Sequence, residues 1–185
     1  MRKILFVGMP GSGKGTQADF LKKRGFAHIS TGDLIRKGWK RKDPLVMPYR
    51  ESIEAGNFLP DSAVFPLVEK ATKNTEGFKG YILDGAIRNL NQAKIFVQKG
   101  FFDEVFFFKL DEKTAIKRIV NRAKKSKEKR KDDSSDVIKK RFDVYYSETQ
   151  PILDFLKTKT KYHEIDASPS PEKIHREVLK ELGIK

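Results

Sequence analysis

Short apolar runs recur along the chain at residues 4–7 (ILFV), 81–84 (YILD) and 105–108 (VFFF), with two weaker ones at 27–30 and 162–165. A run that stays apolar without alternation belongs to a strand covered on both faces, because a strand with one wet face alternates apolar and polar side chains. Between the runs, apolar residues return at helical spacing over residues 14–24, 90–98, 113–122, 135–157 and 171–182. Strands alternating with amphipathic helices predict an α/β fold in which helices cover both faces of a parallel sheet. Two segments interrupt the rhythm. Residues 31–75 predict several helices and no strand. Residues 123–131 (AKKSKEKRK) have no apolar member except Ala123, as in a solvated loop. The sequence contains no internal repeat, and Ser168-Pro169-Ser170-Pro171 reads as a loop that opens a helix, not as a domain linker.

The length of 185 residues suits one domain, and 38% hydrophobic residues are enough to build a core. The absence of cysteine excludes disulfides, thiolate metal sites and a cysteine nucleophile. His28, His163 and His175 are far apart in sequence, which argues against a metal site built from histidine. A formal net charge of +14 leaves three readings open: a nucleic-acid or membrane-surface partner, strongly anionic substrates, or a lysine-rich surface. Many lysines fall at helix-surface spacing, which assigns much of the excess to the third. No apolar stretch approaches transmembrane length. The apolar run after Met1-Arg2-Lys3 is too short for a signal peptide and enters a glycine-rich loop directly, so the chain is expected to be cytoplasmic.

That loop, Gly8 to Thr16 (GMPGSGKGT), fits G-x-x-x-x-G-K-S/T with the hydroxyl residue shifted by one. It follows a predicted strand and opens a predicted helix, the context such a motif requires. Gly11, Gly13 and Gly15 let the backbone aim N–H groups at a phosphate, and the helix N-terminus adds partial positive charge. Lys14 can reach β- and γ-phosphates, and Thr16 can sit near a magnesium ion. The plain alternative is a glycine-rich turn before a helix, and the strand–loop–helix context weighs against it.

The run GxPGSGKGTQ at residues 8–17 resembles the adenylate kinase family in particular. The resemblance continues in order. Ile29-Ser30-Thr31-Gly32-Asp33-Leu34-Ile35-Arg36 is similar to the family's nucleotide-loop motif, and Gly56-Asn57-Phe58-Leu59-Pro60-Asp61 to its GxLVPD turn. Tyr81-Ile82-Leu83-Asp84-Gly85, with Arg88 and Gln92, resembles its third-strand motif. Arg118 and Arg122 lie i, i+4 ahead of the charged run, followed by Arg130-Lys131-Asp132-Asp133, Arg141, Tyr145, Thr149 and Pro151. Nearly the whole chain is covered, and several motifs in order are far more specific than any one. The resemblance implies a P-loop three-layer sandwich around a five-stranded parallel sheet. It divides the chain into a core (1–30, 76–121, 134–185), a monophosphate-binding insert at about 31–75 and a short lid at about 122–133. A long lid, sometimes zinc-ligated by cysteines, has neither room nor cysteines here, so no structural zinc is expected.

The activity implied is reversible, Mg-dependent transfer of the γ-phosphoryl group of ATP to AMP, giving two ADP. The expected partners are ATP and AMP, without membrane or nucleic acid, for a monomer. Such a reaction joins two polyanions, and the attacking phosphate oxygen is already ionised. No general base is needed, and catalysis rests on positioning and charge. By resemblance, Gly11, Ser12, Gly13, Lys14, Gly15, Thr16, Arg122 and Pro169 bind ATP. Thr31, Arg36, Asn57, Phe58, Leu59, Gly85, Arg88, Gln92, Arg130 and Arg141 bind AMP. Lys14, Asp84, Arg88, Arg122, Arg130 and Arg141 carry the transfer. Within these sets Arg36 and Arg88 hold the monophosphate, Arg122 covers the adenine of ATP, and Arg130 and Arg141 clamp the transferring group. Asp84 holds Mg²⁺ through water, with Thr16 nearby. Asp132 and Asp133 either pair with arginine or orient metal waters. One such arginine alone is ordinarily a surface salt bridge; five on motif positions argue for phosphate recognition.

Thr31 and Gln92 point to AMP, since the related UMP/CMP kinases tend to carry Ala and Asn there. A glutamine amide offers the donor and acceptor that an adenine edge requires. Thr31 can equally be a helix N-cap. One departure stands out: the family's Asp-Gly-Phe-Pro-Arg is Asp84-Gly85-Ala86-Ile87-Arg88 here. Loss of the ring and the proline predicts a trans peptide before Ile87, and AMP binding weaker than in relatives with ATP binding little altered. Two alternatives stay open: a monophosphate kinase preferring UMP or CMP, and a nucleotide- or RNA-binding protein with weak turnover.

Overall fold

All five apolar runs form strands: β1 (Arg2–Gly8), β2 (Phe26–Ser30), β3 (Gly80–Asp84), β4 (Glu104–Lys109) and β5 (Lys161–Asp166). The computed structural model describes residues 1–125 and 135–184, with the side chains of 123–125, 135–138, 140, 141 and 144 outside the description. The described helices are α1 (Lys14–Lys22), α2 (Thr31–Lys40), α3 (Arg50–Glu54), α4 (Asp61–Lys73), α5 (Leu90–Gln98), α6 (Glu112–Lys125), α7 (Ser135–Lys159) and α8 (Pro171–Leu182), with a 3₁₀ turn at Met47–Tyr49. The strands join in one parallel sheet of order β2-β3-β1-β4-β5. β1 lies at its centre, with Phe6 opposite Asp84 of β3 and Phe106 of β4. The strand order reverses at β1. The crevice at the carboxyl ends of such a sheet, at that reversal, is where ligands bind.

The continuous apolar character of β1 follows from its two faces. Ile4 and Phe6 share one core with Phe106, Phe108, Leu21, Ile119 and Val178, so α1, α6 and α8 cover that face. Leu5 shares the other with Leu83, Val105, Val68, Phe96 and Leu156, from β3, β4, α4, α5 and α7. Phe6 meets Phe106 and Phe108 edge-on at 5.9 and 4.8 Å. Each such fully buried side chain contributes about 1.5–3 kcal/mol, so the strand carrying the phosphate loop is among the most firmly held parts of the molecule.

Residues 31–75 hold α2, the 3₁₀ turn, α3 and α4, and no strand. They are more than an appendage, because Ile35, Val46, Leu59, Val64 and Val68 belong to the same core as Leu5 and Leu83. Two details correct the sequence reading. Ser30, not Thr31, is the N-cap of α2: its Oγ accepts from the Asp33 N–H at 3.3 Å, and Thr31 is the first helical residue. α6 continues to Lys125, into the charged run, as the helix propensity of Ala and Lys allows. The rest of the expected lid, residues 126–133, lies outside the described residues. No peptide bond among the described residues is cis, the one before Ile87 included. None of the described helices is long and apolar enough to cross a membrane.

Candidate active site

β1 ends at Gly8 and α1 begins at Lys14, so residues 9–13 make the turn at the sheet's carboxyl edge. The turn is closed by Ser12 N–H donating to the Met9 carbonyl at 3.2 Å, with Ser12 fully buried beneath it. α1 starts on Gly13 with no side-chain cap and no acidic residue in its first turn. Its leading N–H groups and the positive end of its dipole therefore meet no carboxylate of their own helix. Lys14 Nζ donates to the carbonyls of Gly8 at 2.7 Å and Met9 at 2.9 Å, and to Ser12 Oγ at 3.3 Å. A phosphate oxygen entering the loop competes with these neutral acceptors for an ammonium proton and makes the stronger bond.

The loop opens onto a cleft of about 830 Å³. Gly11, Gly13, Lys14, Gly15 and Thr16 reach it from the loop and α1, and Arg122 from α6. Arg36 reaches it from α2, Asn57 and Phe58 from the α3–α4 turn, and Gly85 and Arg88 from the segment after β3. Arg36 pairs with Asp33 and lies against the bare face of Gly32. The Arg88 guanidinium lies over the Phe58 ring, 4.9 Å from its centroid.

Asp84 ends β3 and also lines the cleft. Burial alone would push its carboxyl up; the His28 imidazole and the Lys14 ammonium, with Arg88 beyond them, outweigh burial and hold it below the usual carboxylate range. The reciprocal effect acts on His28. Burial pushes that imidazole down, but Asp84, with smaller contributions from Asp19 and Asp33, leaves it raised above its ordinary value. His28 Nε2 lies 3.6 Å from Asp84 Oδ2, and Nδ1 lies 3.6 Å from Asp19 Oδ1. Asp84 therefore stays ionised beside the phosphate loop. Mg²⁺ prefers hard oxygen donors and retains several waters, and a single carboxylate sharing the cleft with Thr16 fits that preference. Among the described residues no group of three or more His, Cys, Asp or Glu could hold a metal by itself.

Other predicted residues lie beneath the cleft wall. Thr31 is buried, and its Oγ1 has no hydrogen-bond partner among the described residues. Leu59 is part of the core. Gln92 is only 2% exposed, and its amide is held from two sides. Its Nε2 donates to Asp61 Oδ1 at 2.7 Å and its Oε1 accepts from the Arg88 N–H at 2.8 Å, while Asn91 holds the other Asp61 oxygen at 2.9 Å. The Pro169 carbonyl accepts from Arg118 at 3.4 Å, alongside those of Ala167 at 2.8 Å and Ser168 at 3.1 Å. Arg118 thus ties the loop after β5 to α6. Arg130, Asp132 and Asp133 lie outside the described residues; Arg141 lies in α7 with its side chain outside the description.

His28, Asp61 and Arg118 support the site without being among the residues to which the resemblance gives a role. The signal for His28 was topological. Ser30 is opposite Asp84 in the β2–β3 register, so His28, two residues earlier on the same face, is a diagonal neighbour of that carboxylate.

A phosphate loop leaving the central strand of a 2-3-1-4-5 parallel sheet, with arginines converging on the same cleft from a helical insert and from the segment after β3, defines the P-loop nucleotide-kinase class. The family model described as adenylate kinase matches residues 6–161. Curated relatives include adenylate kinase 1 of Nostoc sp., 33% identical over 99% of this chain and 100% of the relative. The adenylate kinase of Porphyromonas gingivalis is 37% identical over 94% and 92% of the two chains, and that of Leptospira biflexa 32% identical over 98% and 100%. The chain belongs to the adenylate kinase family.

Proposed function

We propose that the chain transfers the γ-phosphoryl group of Mg-ATP reversibly to AMP, giving two ADP. The observation that carries this reading is the cleft itself: one continuous space meets the phosphate loop with Lys14, the ionised Asp84, and Arg36 and Arg88. On this reading the α1 N-terminus and Lys14 take the ATP phosphates, and Arg122 and the loop around Pro169 hold the donor's nucleoside. Arg36 and Arg88 hold the acceptor phosphate, and Arg130 and Arg141 keep the clamping role that the resemblance gives them. Asp84 and Thr16 would hold Mg²⁺ through its waters; when bound, the ion neutralises charge on the phosphate oxygens. The acceptor oxygen attacks as an anion, so the protein's part is to align two polyanions and offset their repulsion. Gln92 would select the base. Its amide, beneath the cleft wall, is already oriented by Asp61 and the Arg88 N–H.

A coupled assay with Mg-ATP and each of AMP, GMP, UMP and CMP tests the proposal. AMP is expected to be the preferred acceptor. Preference for UMP or CMP overturns the base assignment, and salt-sensitive RNA retention without ADP formation overturns the enzymatic one.

A further inference from the structure

Arg88 is placed by an unusual local sequence. The segment between Asp84 and Arg88 has Ala86 and Ile87 where the resembled pattern has Phe and Pro, and neither replacement is exposed to the cleft. Ala86 is 1% exposed within the core shared with Leu83, and Ile87 packs against that core. The aromatic face beside Arg88 comes from elsewhere. Phe58, where the resembled GxLVPD turn has Leu, places its ring against the guanidinium. On the Gly85 side the approach is equally close: a Cβ there would lie 2.9 Å from an Arg88 terminal nitrogen. Gly85 sits at φ +72°, a conformation that calls for glycine, and a Cβ there would push the end of the Arg88 side chain aside. Phe58, Gly85 and Arg88 also border a small cavity of about 40 Å³ with Ile87, so the contacts form one unit bridging the α3–α4 turn and the segment after β3.

We propose that Phe58 is a positioning residue for the acceptor phosphate: it holds the Arg88 guanidinium over its ring, with Gly85 close to a terminal nitrogen. The proposal rests on the reading of Arg88 as a phosphate ligand. A ring over the guanidinium carbon restrains the cation without consuming its N–H groups, which remain for bidentate contact with phosphate oxygens. A flexible arginine loses rotamer freedom when it binds phosphate. A ring that restrains the cation beforehand removes part of that loss, and a cation over an aromatic face is attracted to it besides. The contribution therefore falls on AMP and not on ATP, whose proposed ligands lie in the loop and α6.

The test compares wild type with Phe58→Leu and Phe58→Tyr, alone and in an Arg88→Ala background. Steady-state KM and kcat are measured for AMP and ATP, with equilibrium binding of AMP and of adenosine. Phe58→Leu is expected to raise KM and Kd for AMP by about threefold to tenfold. KM for ATP and Kd for adenosine should stay within about twofold, and Phe58→Tyr should restore the wild-type values. In the Arg88→Ala background, Phe58→Leu should add nothing. Parallel weakening of AMP and adenosine overturns the proposal, because the ring then acts on the base; so does an unchanged KM for AMP. Phe58 is partly buried, and the melting temperature of each variant separates a folding defect from either result. The binding measurements need no turnover, so a wild-type chain that binds AMP but forms no ADP refutes the proposed reaction while the Phe58–Arg88 coupling is still read.

Discussion

Substitution of the loop glycines separates two physical reasons for glycine in one turn. Gly11 and Gly13 both adopt positive φ, +84° and +91°. Alanine in that region costs about 1–2 kcal/mol through contact of its Cβ with the backbone. The surroundings differ. A Cβ on Gly13 would meet nothing within 4 Å. A Cβ on Gly11 would lie 2.6 Å from the Ala115 carbonyl oxygen and 3.1 Å from Ile119 Cγ1, both in the buried face of α6. A helix carbonyl cannot swing aside, so the loop or α6 must shift, at an overpacking cost of about 1–3 kcal/mol. Gly13→Ala should therefore lose about 1–2 kcal/mol and Gly11→Ala about 2–5 kcal/mol. For a chain of this size each kcal/mol lowers the melting temperature by about 2–4 °C. Urea titration monitored by circular dichroism gives both differences, with m unchanged if the unfolded state is unaffected. Gly11→Ala should also raise KM for ATP more than for AMP, since the loop moves with it. Equal destabilisation of the two variants, or a neutral Gly11→Ala, would refute the claim that the phosphate loop is seated against α6.

Asp61→Ala should cost about 1–3 kcal/mol by urea titration, because it leaves the buried Gln92 amide nitrogen without its acceptor. Arg118→Ala should raise KM for ATP about threefold to tenfold and leave that for AMP nearly constant, through loss of the tie to residues 167–169. The His28–Asp84 contact predicts a pH dependence that melting curves can read. The Asp84 carboxyl is held below its ordinary 3.8, so its contribution is complete above that value and is lost as pH falls through the folded value. The His28 imidazole is raised above 6.5, so its contribution is complete below that value and is lost as pH rises through the folded value. The advantage of wild type over His28→Asn should thus be largest between 3.8 and 6.5 and shrink on both sides; a flat difference would show that the two groups do not interact.

What could be read in advance was whatever is set by local pattern. β1, β3 and β4 were legible because both faces are buried and no polar residue interrupts them. β5, an edge strand with Tyr162, His163 and Glu164, was faint for the opposite reason. The phosphate loop was legible because its glycines and Lys14 are contiguous. Contacts decided by packing between distant elements were not. Thr31 and Ser30 are equally good caps on paper, and only the backbone turn gives the role to Ser30. The partners of Gln92 come from α4 and from the Arg88 backbone, and nothing in the residues around 92 names Asp61. Residues 31–75 read as an insertion because they break the strand–helix rhythm, yet their apolar side chains complete one face of the core.

The central claim is that one cleft, organised around Lys14, passes a phosphoryl group between two adenine nucleotides. Phosphorus NMR of a mixture of Mg-ATP and AMP, with wild type and with Lys14→Ala, tests it most directly. Wild type is expected to convert the pair to two ADP and to run back from ADP. Lys14→Ala, with an unchanged circular dichroism spectrum, should be slower by orders of magnitude, about the effect of removing a charged ligand from a transferring phosphoryl group. Near-normal conversion by Lys14→Ala, or release of inorganic phosphate in place of a second ADP by wild type, would contradict it.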